Sequence, residues 1–127
     1  MQPEAEIQKA IVRFLRIALP GDALIHATLA EGNRGSRKGV IDGARRKAMG
    51  QLAGMPDLMI AVRGRVAFME VKTPSGRVSP AQKSVHENLS AQGLPVAVVR
   101  SVDDADRFIA EQGLLRSQLG NRKGGGL

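Results

Sequence analysis

Two short runs rich in Val, Ile, Met and Phe, Leu58 to Val62 and Arg65 to Val71, stand on either side of the dipeptide Arg63-Gly64. A two-residue break ending in glycine turns consecutive strands into a hairpin, so these runs pair antiparallel. Asp57 opens the first run behind Gly54-Met55-Pro56, and Glu70 and Lys72 close the second, so the pairing sets acid against acid. Side chains alternate along a strand. Val66, Phe68, Glu70 and Lys72 therefore share one face, with Glu70 and Lys72 roughly 7 Å apart, and Arg65, Ala67, Met69 and Val71 share the other. Carboxylates and ammoniums are seldom placed beside core residues without a partner or a metal, so this face asks for a cation.

The flanking elements follow from periodicity. Glu4 to Ala18 carries Ile7, Ala10, Ile11, Phe14, Leu15 and Ala18 at helical spacing and stops at Pro20-Gly21. Glu6 lies about 100° from the centre of that apolar stripe, where it either reaches inward or serves the helix dipole; spacing favours the dipole. Ala23 to Leu29 reads as a short strand containing His26. Residues 30 to 39 read as a mobile glycine- and charge-rich loop, and residues 44 to 52 as a helix. Ser79-Pro80-Ala81-Gln82 is a helix start with Gln82 at the capping-box position. Gln82 either completes that cap alone or also turns back toward the carboxylates, and the cap is favoured. The helix runs to about Ala91, with Val85, Leu89, Ala81 and Asn88 expected toward the sheet. Pro95 to Val99 reads as a buried parallel strand reached by a right-handed crossover, and Ser101 caps a last helix that ends near Gly113. The expected fold is α/β: one domain over residues 1–115, a mixed central sheet flanked by helices. Residues 116–127 form a basic, Gly-rich tail that is expected to be disordered.

The net charge is +7, from 19 Lys+Arg against 12 Asp+Glu, and it is uneven. Arg34, Arg37, Lys38, Arg45, Arg46 and Lys47 crowd the stretch that holds only Glu31 and Asp42 as acids. Such a stripe fits a polyanion, most simply nucleic acid, or else a solvated helix face. With three Phe and no Trp or Tyr, base stacking on aromatic platforms is disfavoured as a binding mode. The absence of cysteine excludes a disulfide framework, a thiolate nucleophile and a Cys-based zinc site, and it fits a reducing cytoplasm. No apolar run approaches the ~18 residues of a membrane span, and Gln2-Pro3-Glu4 does not open a signal peptide. The expected location is cytoplasmic.

Two carboxylates with a backbone carbonyl suit a hard cation such as Mg²⁺, which keeps waters and phosphate oxygens in its remaining positions. Asp57, Glu70 and the carbonyl of Val71 supply such a partial shell. Lys72 stands close enough to orient water, stabilise charge on a phosphate, or act as a base. Phosphate-binding loop, nucleophile-elbow and His-Glu-x-x-His motifs are absent. His26 and His86 read as surface or core histidines rather than ligands.

Pro56-Asp57, twelve intervening residues, and Glu70-Val71-Lys72 resemble the Pro-Asp…(Asp/Glu)-x-Lys signature of the restriction-endonuclease-like superfamily. Together with Gly54, the Ser79-Pro80-x-Gln82 helix start, the Gly93-x-x-Val96 step and Glu6 beside Ile7-Gln8, the pattern is similar to the VRR-NUC family over about residues 4 to 110. The resemblance implies a Mg²⁺- or Mn²⁺-dependent DNA endonuclease. It implies Asp57 and Glu70 as metal ligands, Lys72 as the catalytic lysine, Glu6 as a further acid in the metal site and Gln82 as a glutamine near it. It thereby shifts both Glu6 and Gln82 toward the functional reading. Asn33 and Arg34 resemble a polar-basic element of stand-alone members. Those members are similar to Holliday-junction resolvases, which act as homodimers on branched DNA. A non-catalytic basic DNA-binding module and a nuclease subunit that needs a partner are the alternatives.

Overall fold

The computed structural model describes residues 3–28 and 37–120. The loop that holds Asn33 and Arg34 and the tail beyond residue 120 lie outside the described residues, as do the side chains of Arg37 and Lys38.

Helix α1 (Glu4–Ala18) leads into strand β1 (Leu24–Ala27), and helix α2 (Arg37–Ala48) precedes the hairpin of β2 (Leu58–Val62) and β3 (Arg65–Val71). Helix α3 (Pro80–Ala91), strand β4 (Val96–Val99), helix α4 (Val102–Glu111) and a short α5 (Arg116–Leu119) complete the chain. The strands form one mixed sheet in the order β1-β2-β3-β4, antiparallel up to β3 and parallel between β3 and β4. The α/β expectation and the hairpin, α1, α3 and α4 assignments hold.

Arg63 and Gly64 both take positive φ, 51° and 80°, as a two-residue turn with the twist of a hairpin requires. Arginine is an uncommon residue for that conformation, and its guanidinium is held in place from three sides. Nε donates to Asp22 Oδ2 at 3.3 Å, and the two terminal nitrogens donate to the carbonyls of Leu119 and Gly120 at 2.9 and 3.2 Å. The turn thus closes the end of α5, a helix that the sequence did not reveal.

The sheet has two differently covered faces. Leu58, Ile60, Val62, Ala67, Met69 and Val71 bury against Ile7, Ile11 and Leu15 of α1 and Ala105, Phe108 and Ile109 of α4, giving an aliphatic core with one aromatic ring. On the other face Phe68 and Glu70 lie under α3, whose buried apolar residue is Val85.

Four expectations change. The stretch from residue 116, expected to be a disordered tail, opens with the helix α5 over Arg116–Leu119. The second helix begins at Arg37 and ends at Ala48 rather than covering 44–52; Gly39 and Gly43 weaken its periodicity without stopping it. Among the described residues no strand pairs beyond β4, so it is a sheet edge, and its Val96, Ala97 and Val98 are only half-buried. The face that α3 turns to the sheet is Gln82-Val85-His86-Leu89, while Ala81 and Asn88 are exposed. Its polar members lie where the sheet beneath is polar.

Candidate active site

The β2–β3 register sets Leu58 opposite Met69, so one step further out Asp57 faces Glu70. Phe68 and Lys72 direct their N–H groups to carbonyls of the β4 side, Pro95 and Val99, so residues 67, 69 and 71 direct theirs toward β2. Continuing the register puts Pro56 opposite Val71. A ladder would need an N–H there for the Val71 carbonyl, and proline has none. The Val71 N–H is satisfied instead by Asp57 Oδ2 at 2.8 Å. The Pro-Asp pair therefore orients the aspartate across the strand end and leaves a backbone carbonyl without its ladder donor beside it.

Glu70 is 1% exposed, the one charged residue among the buried described residues. Helix α3 holds both of its oxygens. Gln82 Nε2 donates to Oε2 at 3.3 Å, and His86 Nε2 lies 3.1 Å from Oε1. Gln82 fulfils both roles left open by its position. Its Oε1 accepts the Ser79 N–H at 2.9 Å while its own N–H is bonded to Ser79 Oγ, and this capping box turns the amide nitrogen toward Glu70. Gly54 makes this closeness possible. It has φ 93°, and a Cβ there would stand 2.5 Å from the Ala81 carbonyl oxygen, so only glycine lets the first turn of α3 lie against the strand entry.

Burial pushes the Glu70 carboxyl up from 4.5 to about 9, with hydrogen bonding to Asp57 and the charge of Asp57 adding to the rise; Lys72 opposes it and Glu4 reinforces it. His86 is lowered by its own burial and by the Lys72 charge, with Asp57 offsetting part of the effect. Its contact with Glu70 is therefore a hydrogen bond of a neutral imidazole rather than an ion pair near neutral pH.

The first turn of α1 offers two acids, and they have different surroundings. Glu6 has a half-exposed side chain and pairs with Lys9 at 3.3 Å. Glu4 lies one turn before Ile7 on the side of the buried stripe, and its charge is felt at Glu70. No three His, Cys, Asp or Glu among the described residues converge as a metal cluster. The oxygen donors at this strand end, the Asp57 and Glu70 carboxylates and the Val71 carbonyl, are of the type that could hold a hard divalent cation.

Sequence reasoning missed two supporting residues. The first is His86, whose signal was its spacing four residues after Gln82. The second is Arg100, which donates through one terminal nitrogen to the carbonyls of Thr73 and Gly76, each at 2.7 Å, and so pins the turn that follows Lys72. Of the basic stretch, Arg45 and Lys47 are exposed and Arg46 is half-buried.

The family model for the VRR-NUC domain matches residues 28–103. A solved VRR-NUC domain protein aligns with TM-score 0.68 at 23% identity, covering 87% of this chain and 88% of its own. A second solved VRR-NUC domain aligns with TM-score 0.58 at 26% identity, covering 84% and 94%. No curated protein matches. With a family match over more than half of its length, and with Pro56-Asp57 and Glu70-Val71-Lys72 meeting at one strand end, this chain belongs to the VRR-NUC family of nuclease-type domains.

Proposed function

We propose that the protein is a divalent-metal-dependent DNA endonuclease that selects its substrate by structure, with four-way junctions cut by a homodimer. The observation that carries the reading is the buried Glu70 carboxylate held beside Asp57 at the strand end that also bears Lys72. The Glu70 carboxyl, buried beside Asp57 and raised to about 9, holds a proton that a cation can replace.

Asp57, Glu70 and the Val71 carbonyl would hold the ion, Mg²⁺ or Mn²⁺. Once bound, it would polarise a phosphoryl oxygen and acidify a water. Lys72 supplies a fixed positive charge for the phosphate as negative charge develops and orients the attacking water. Gln82 holds Glu70 in place. From the first helix, Glu4 adds to the negative field, and Glu6 is a further acid two residues away. Arg45, Arg46 and Lys47, and in the same basic stretch of sequence Arg34, Arg37 and Lys38, would contact the DNA backbone. Symmetric cleavage of a junction needs two such sites related by a two-fold axis, which supports the homodimer.

Lys72→Ala tests the mechanism. DNA binding is expected to survive and metal-dependent cleavage to fall by at least about 100-fold, the scale on which removing one transition-state charge partner acts. Cleavage that persists in the variant would exclude Lys72 from the chemistry. A wild type that binds DNA in a salt-sensitive way but never cuts it would indicate a binding module instead.

A further inference from the structure

We infer that His86 is a positioning residue for the Glu70 carboxylate, forming with Gln82 a two-point clamp that presets Glu70 for the metal. This rests on the nuclease reading of the site. Gln82 and His86 are four residues apart on α3 and so lie one above the other on the same face. They take different oxygens of one side chain, Oε2 at 3.3 Å and Oε1 at 3.1 Å. A glutamate has three side-chain torsions, and one hydrogen bond leaves its carboxylate free to swivel. Two bonds from one rigid helix remove that freedom. Each carboxylate oxygen offers two lone pairs, so both oxygens retain capacity for a cation.

Packing does not account for this histidine. Val85 is the residue by which α3 buries apolar surface. His86 borders an open groove of about 480 Å³ lined also by Glu87, Ser90, Val96 and Val98, so altering its ring leaves no sealed cavity. The Gln82 amide is committed by its cap, which leaves His86 as the group whose removal frees Glu70 without unmaking the helix start. Partners that orient metal-binding side chains typically contribute 10–100-fold to metal affinity or activity.

The test compares His86→Gln, whose amide nitrogen can occupy the place of Nε2, with His86→Asn, one methylene too short, and with His86→Phe, which keeps the ring volume. Mn²⁺ affinity is measured by calorimetry without DNA, cleavage is resolved into kcat and KM, and thermal melting verifies folding. His86→Asn and His86→Phe are expected to weaken Mn²⁺ binding and lower kcat by roughly 10- to 100-fold with KM for DNA unchanged, while His86→Gln stays within about threefold of wild type. Wild-type Mn²⁺ binding in His86→Phe, or a His86→Gln as impaired as His86→Asn, overturns the clamp and leaves the nuclease reading intact. A wild type that neither binds Mn²⁺ nor cuts DNA overturns both.

Discussion

Glu70 has opposite consequences for folding and for metal binding. In the metal-free protein its carboxyl is raised to about 9, whereas the unfolded chain titrates near 4.5. Between these values the folded state holds a proton that the unfolded state has released, so stability is greatest below the unfolded value and falls as pH rises toward 9. Glu70→Gln stays neutral at every pH. In EDTA it is expected to melt above wild type by a margin that widens from pH 5 to pH 9, reaching on the order of 2–4 kcal/mol. Parallel melting curves across that range would show that Glu70 is not held protonated. Pro56 acts on the same centre through what it lacks. Pro56→Ala restores an N–H opposite the Val71 carbonyl and is expected to weaken Mn²⁺ affinity several-fold with little loss of stability, since the new hydrogen bond competes for an oxygen of the proposed metal shell. Unchanged affinity in calorimetry would remove Val71 from the metal shell.

Elements differ in how openly the sequence declares them. Helix α1 and the β2–β3 hairpin could be read to the residue, because an aliphatic stripe and a two-residue Arg-Gly turn each have one physical solution. The Asp57–Glu70 pairing followed from the same register. Helix α2 was read too short because Gly39 and Gly43 dilute its pattern, and α5 is a single turn whose ends depend on the distant Arg63. The face of α3 was misread for another reason. Sequence patterns locate buried apolar residues, and here Gln82 and His86 are drawn inward by a buried carboxylate that belongs to a different element. On the first helix, the charge of Glu4 is felt at Glu70, and Glu6 pairs with Lys9. Gly54 links two elements, and its substitution tests that link. Gly54→Ala combines a left-handed backbone with a clash against the Ala81 carbonyl, and is expected to lose about 2–3 kcal/mol of stability and to displace the start of α3 from Glu70. A melting temperature equal to wild type would mean that α3 can stand further from the strand than the structure shows.

For the whole molecule, the acids sit at one end of the sheet, and basic residues are concentrated in the segment from Arg34 to Lys47. Helix α2 presents Arg45 and Lys47 to solvent. Replacing both with alanine is expected to weaken binding of all DNA forms to a similar degree and to reduce the dependence of log affinity on log salt by about one for each phosphate no longer neutralised. An unchanged salt slope would place the DNA elsewhere. No described helix is long and apolar enough to cross a membrane. The net charge of +7 directs the molecule toward polyanions but leaves the choice among DNA shapes to geometry. The decisive experiment is therefore cleavage of labelled single strand, duplex, flap and four-way junction in Mg²⁺, Mn²⁺ or EDTA, with wild type beside Glu70→Ala. Metal-dependent nicking of branched DNA by wild type alone is expected, with symmetric cuts in the junction. DNA bound tightly but left intact in every metal, or cut equally well by Glu70→Ala, would overturn a metal-dependent nuclease built on Glu70.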